Sequence, residues 1–322
     1  MDNGKNQLQP KTLELVHKLK EKYDSTGQDM NTYLEGLYHS TYLSYWDYIN
    51  LDTLLTLQQP KTGFPDEKTF ILYHQITELF FRLIRNSLEQ ISDAQNLTAE
   101  NFTKHLNRAI NYLEHLKNSF SIMFDGMDRE QFLTFRTALT PASGFQSAQY
   151  RIIEIYSTDV FFLVQKDLRG SFIIEDAPER LMEFLYWRRG AVEMESLKKT
   201  FTLRQFEEKY LPSLLQVANE YREKNLRQKW LKMAETERWN PELVATMRRF
   251  DHLANVEWPL VHFRTATRYL DRKPQELAAT GGTNWKEYMQ PKNQQVTFYP
   301  ELWSEAEEQS WGKNVTKEQI GI

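Results

Sequence analysis

Apolar residues recur at spacings of three and four through most of the chain. The pattern predicts helices over about 12–24, 66–92, 98–125, 128–139, 143–168, 203–235, 240–252 and 258–271. Proline or glycine stands near several of the breaks, as expected where a helix must stop. No segment alternates convincingly with the period of two that a strand requires. The expected fold is therefore all-α, a helical bundle formed by one domain over residues 1–322. Residues 1–11 are polar, include Pro10, and read as a loose arm. Residues 272–322 lose the periodicity, gain "TGG" and "PK", and read as a loop-rich part closing the site. Aromatic side chains crowd the stretch "TYLEGLYHSTYLSYWDY" before Pro60 and Gly63 stop it, which suggests an element that packs on something else.

The helix after Pro65 repays a closer reading. Asp66 is a plausible N-cap. Phe70, His74, Thr77, Phe81, Ile84, Leu88 and Ile91 fall on one face, with Gln75, Glu78, Arg82, Arg85 and Glu89 on the wet one. A second apolar row, Leu72, Ile76, Leu79 and Leu83, predicts a helix covered on most sides. His74 thus points inward, either as a core histidine satisfied by a neighbour or as an acid/base or distal-pocket group.

Two further residues stand out on apolar faces. Arg136, in "FLTFRTALTP", shares its face with Phe132 and Leu139, where a guanidinium needs an anion: an internal carboxylate or that of a bound substrate. His262, in "WPLVHFRTATRYL", lies on one face with Trp258, Thr265 and Tyr269. It is either structural or a neutral imidazole available to a haem iron. The stretch "PASGFQSAQYR" interrupts the helical pattern with small residues between two predicted helices.

Composition narrows the chemistry. Only 12 Gly and 11 Pro in 322 residues favour long helices over turn-rich sheets. A net charge of −4 with both signs interspersed leaves no basic stripe for a nucleic acid. There is no cysteine, which removes disulfides, zinc-thiolate sites, iron–sulfur clusters and thiolate-ligated haem. No H-E-x-x-H, G-x-S-x-G, Walker or G-x-G-x-x-G pattern occurs. The N-terminus lacks a basic and apolar leader, and no apolar run approaches the ~20 residues of a spanning helix, so the expected location is the cytoplasm, with no membrane partner.

Taken together, "YWDYINLDTLLTLQQP", "DEKTFILYHQITELFF", "FRTALTPASGFQSAQYRIIE", "WPLVHFRTATRYL" and "TGGTNWKEYM" resemble, in order, the tryptophan 2,3-dioxygenase family. The resemblance implies an all-helical homotetramer with one b-type haem per subunit. The implied reaction inserts both atoms of O2 across the indole C2–C3 bond of L-tryptophan, giving N-formyl-L-kynurenine. By motif, His262 matches the axial ligand of the haem iron, with Trp258 beside it. His74 matches the distal histidine that meets the indole N–H, Arg136 the clamp on the substrate carboxylate, and Thr280 the threonine near the amino-acid end. Phe70 and Leu139 match the lining of the indole pocket, and Ser143 and Gly144 are expected close against the haem face. Tyr45 and Tyr48 match a pair on an N-terminal helix that covers a neighbouring subunit's site. Pro259 stands where relatives carry Arg, and is expected to begin the helix at its first turn or to kink it. Two alternatives stay open: a haem enzyme of this superfamily that gives a different product from tryptophan or another indole, and a non-catalytic haem sensor.

Overall fold

The computed structural model describes residues 8–40, 44–136, 147–191, 199–270 and 290–313. Helices dominate them, an isolated antiparallel bridge joins Val164 to Leu185, and the all-α expectation holds. The chain divides into two compact units, Met1–Leu57 and Gln58–Ile322. In the first, α1 (Pro10–Ser25), α2 (Met30–His39), α3 (Tyr45–Tyr48) and α4 (Leu51–Leu54) bury none of their residues. Asp29 caps α2 by accepting the Asn31 N–H, and Tyr23 meets Tyr33 at 4.5 Å between ring centroids.

The second unit is built on α5 (Pro65–Ser92) and α6 (Ala99–Ser119), which pack along one another. After them come α7 (Ser121–Asp125), α8 (Arg129–Phe135), α9 (Ala148–Ser157) and α10 (Pro178–Leu181). Then follow α11 (Phe201–Tyr221), α12 (Leu226–Leu231), α13 (Glu235–Arg238), α14 (Pro241–His252) and α15 (Trp258–Leu270). The core lies where α5, α6, α9 and α14 meet, and includes Ile84, Leu88, Phe102, Leu106, Ile153, Met247 and Phe250. Among the described residues no helix is long and apolar enough to cross a membrane.

The sequence pattern ran past several real ends. The helix expected over 143–168 stops at Ser157, because Thr158 turns to extended backbone and gives its hydroxyl to the Phe298 carbonyl at 2.6 Å. Next to it the Asp159 carboxylate accepts from Arg227 at 2.6 Å and from Gln228 at 3.0 Å. The helix expected over 203–235 breaks after Tyr221 and restarts at Leu226, where Asn225 accepts the Gln228 N–H. Asp66 is not the cap of α5, which begins at Pro65 after Phe64. Its carboxylate instead accepts the N–H of Asp128 at 2.6 Å, and Asp128 itself caps α8. The second apolar row of α5 is not covered by the chain's own fold: Ile76, Leu79 and Leu83 are 38%, 53% and 44% exposed.

Pro259 is the second residue of α15, but helical backbone runs unbroken from α14 into it, so the proline is interior and not at a free first turn. Directly before it, Leu253–Glu257 widens into a π-helical turn, in which the Trp258 N–H reaches the Leu253 carbonyl. A proline ring clashes with the carbonyl four residues back in a regular helix, and the wider turn relieves that clash.

Candidate active site

Three helices bring the predicted residues together. On α5, Phe70 and His74 lie one turn apart with ring centroids 4.0 Å from each other. From α8, Phe132 and Phe135 approach Phe70 at 6.0 and 5.9 Å, and Arg136 follows immediately at the end of that helix. The Asp66–Asp128 bond, with the Asp66 N–H on Gln131 at 3.5 Å, ties the starts of α5 and α8 and so fixes Arg136 relative to Phe70. On α15, His262 packs against Phe120 at 5.9 Å, while Trp258 packs against Phe120 at 5.0 Å and Phe81 at 5.8 Å.

The His74 ring has a defined tautomer. Its Nδ1 sits 2.8 Å from the Phe70 carbonyl, which has no hydrogen to give, so Nδ1 carries the proton. Desolvation lowers its pKa against the opposing pull of that bond and of Glu78, so the neutral ring presents Nε2 as an acceptor. The ring is nonetheless exposed to solvent.

His262 is held down more strongly. Burial, with the nearby charge of a protonated His74 as a second cause, lowers its pKa to about 4. Phe120 links the two helices, its ring packing on His262 at 5.9 Å and on Tyr73, the residue before His74, at 5.8 Å. His262 makes no hydrogen bond among the described residues, so its ring is neutral at physiological pH with a lone pair to offer. Burial also lowers the pKa of Arg136, which stays a cation all the same.

The first turn of α9, just past the "PASGFQ" stretch, grips α5 and the π turn that leads into α15. Ser147 caps it by accepting the Tyr150 N–H. Gln149 donates to the Glu78 carbonyl and carboxylate on α5 at 2.8 and 3.0 Å, and Tyr150 donates its hydroxyl to the Ala254 carbonyl at 2.8 Å. Tyr150, Phe120 and Phe135 escaped the sequence reading. Phe135 carried a usable signal, three residues after Phe132, whereas Phe120 sits at a helix break that periodicity runs straight through.

Leu139, Ser143, Gly144 and Thr280 lie outside the described residues. Tyr45 and Tyr48 lie in the first unit, 71% and 75% exposed. A shallow groove lined by Val244, Arg248, His252 and Trp303, among others, holds none of the predicted site residues. Among the described residues no three His, Asp or Glu side chains converge as a metal-holding group.

Comparison with known proteins finds one family throughout. The sequence model of the tryptophan 2,3-dioxygenase family matches residues 35–159, which include Phe70, His74 and Arg136. Tryptophan 2,3-dioxygenase 2 of Ralstonia nicotianae is 40% identical over 127 residues, covering 35% of this chain and 33% of that protein. The alignments to this and to the Ruegeria sp. relative span only 33% and 40% of those proteins' lengths. Two others align almost throughout. The tryptophan 2,3-dioxygenase of Xanthomonas oryzae pv. oryzae is 29% identical over 85% of this chain and 88% of its own. That of a Polaromonas species is 26% identical over 81% and 86%. Over residues 35–159 by the family model, and over most of its length by these two relatives, the chain is similar to tryptophan 2,3-dioxygenases.

Proposed function

We propose that this protein is a haem-dependent dioxygenase that cleaves the indole C2–C3 bond of L-tryptophan with O2, yielding N-formyl-L-kynurenine. The observation that carries the reading is the cluster of Phe70, His74, Phe132 and Phe135 where α5 meets α8, with Arg136 at the end of α8 and His262 held on Phe120 by α15. The side chains fit a haem. With no cysteine in the chain, His262, a neutral histidine without a hydrogen bond among the described residues, would be the residue to hold a haem iron. When bound, a haem would supply the binding and activation of O2.

The chain's own residues then bind and orient the substrate. Arg136 holds the tryptophan carboxylate, and Thr280 the amino-acid end near it. Phe70, Phe132, Phe135 and Leu139 wall the indole and exclude water. His74 Nε2 accepts the indole N–H, which orients the ring without removing the proton, because indole is a very weak acid. By their place in the motif Ser143 and Gly144 would border a bound haem, and Trp258, one turn before His262, shares its Phe120 contact.

The assembly is a homotetramer, with Tyr45 and Tyr48 of one subunit covering a neighbour's site. Support comes from the solvent-facing apolar row Ile76, Leu79 and Leu83, and from a first unit whose helices bury nothing of their own. The direct test is to reconstitute the chain with haem, reduce it, and supply O2 and L-tryptophan. A Soret band and tryptophan-dependent growth of N-formylkynurenine absorbance are expected. Protein that takes up no haem at saturating haem would overturn the reading.

A further inference from the structure

The turn into α15 leaves one carbonyl in need of a donor. In the π-helical turn Leu253–Glu257, the Trp258 N–H is spent on the Leu253 carbonyl. The next residue round, five after Ala254, is Pro259, which has no N–H to give. Ala254 is buried, and a buried carbonyl without a donor is costly. The donor it finds is the Tyr150 hydroxyl at 2.8 Å, from a helix more than a hundred residues earlier.

Tyr150 is itself held on several sides. Its ring packs on Phe81 of α5 at 5.3 Å, and Phe81 packs in turn on Trp258. The Arg151 guanidinium lies 5.0 Å from the ring centroid, and Arg151 pairs with the buried Glu154 at 3.1 Å. One turn beyond Trp258 stands His262. A rigidly held hydroxyl therefore closes the turn from which the His262 helix departs, and it does so because position 259 is proline.

We propose that Tyr150 is a positioning residue for His262: its hydroxyl, by holding the Ala254 carbonyl that Pro259 leaves without a backbone partner, sets the direction in which α15 presents the imidazole. The inference rests on the reading of His262 as haem ligand. It has a distinctive consequence, because an amide N–H restored at position 259 makes the hydroxyl dispensable.

The test is a double-mutant cycle in the full, haem-reconstituted chain: Tyr150→Phe, Pro259→Ala and the two together. Two quantities are read, the rate at which ferric haem passes to apomyoglobin and the midpoint potential of the iron. Tyr150→Phe is expected to speed haem loss about tenfold, the effect of one lost buried hydrogen bond, and to shift the potential. Pro259→Ala should keep haem at least as firmly as the natural chain, and in that background Tyr150→Phe should change the rate by less than about twofold. Equal losses in both backgrounds, or no loss in either, would overturn the proposal. Should Tyr150→Phe alone fail to fold, the comparison of Pro259→Ala with the double variant still decides. Failure of the natural chain to bind haem would count against the haem reading alone. The same four proteins unfolded in urea would then show whether Pro259→Ala abolishes the cost of Tyr150→Phe.

Discussion

An imidazole bonded through Nδ1 to a main-chain carbonyl has its other nitrogen committed as an acceptor, and this is the main chemical fact about His74. His262 differs in having no such partner among the described residues. The two should therefore fail differently. His262→Ala should yield folded protein without a Soret band after haem loading. His74→Ala should keep the band and lose roughly tenfold in kcat/KM, the worth of one neutral hydrogen bond in the transition state. Arg136→Ala should act chiefly on substrate use, raising KM for L-tryptophan by about 10- to 100-fold, as removal of a charge-assisted contact does. An unchanged KM in steady-state assays would contradict the clamp. All three residues were legible in the sequence because each breaks the chemistry of an apolar face. Tyr150 was not, since an aromatic ring in a helix looks the same whether or not its hydroxyl reaches a distant carbonyl.

Helices were legible where one face is continuous, and their ends were lost where distant groups decide them. The Pro65 start of α5 and the Asn240 cap of α14 follow from local chemistry. The stop at Ser157 depends on Phe298 and Arg227, and no window of local sequence contains those partners. The π turn belongs in part to the same class, because its last residue, Glu257, is tied to a distant helix as well as to near neighbours. This carboxylate takes Lys117 of α6 at 2.7 Å, His252 Nδ1 at 3.1 Å and the Arg249 guanidinium. Burial would raise its pKa, but these three donors outweigh burial and hold it well below the ordinary value of 4.5. A carboxyl whose pKa is depressed on folding stabilises the fold fully above its unfolded pKa and loses that contribution as the pH falls. Glu257→Gln should thus cost about 2 kcal/mol near neutral pH in urea unfolding. The gap from the natural chain should close as the pH drops below 4.5, and a gap that persisted in acid would show that packing, not charge, was lost.

Taken whole, the chain carries apolar surface that its own fold does not use. The row Ile76, Leu79 and Leu83 was expected to be covered, and periodicity was right about its character but silent about who covers it. Tyr45, Trp46 and Tyr48 pose the same question in the first unit. If subunits meet through the α5 row, Leu79→Glu together with Leu83→Glu should lower the oligomeric state seen by light scattering while leaving the helical circular dichroism intact. An unchanged mass would place the interface elsewhere. The fold class and three candidate residues could be read from one sequence, because helical periodicity and polar groups on apolar faces are local signals. The ties of α8 and α9 to α5 could not, because they depend on bonds such as Asp66 to Asp128 and Gln149 to Glu78. The decisive measurement is the product formed by the haem-loaded, reduced chain from L-tryptophan under isotopically labelled O2, read by mass. N-formyl-L-kynurenine carrying both labelled oxygens is expected, and a product with one labelled oxygen, or none formed by fully haem-loaded protein, would contradict the assignment.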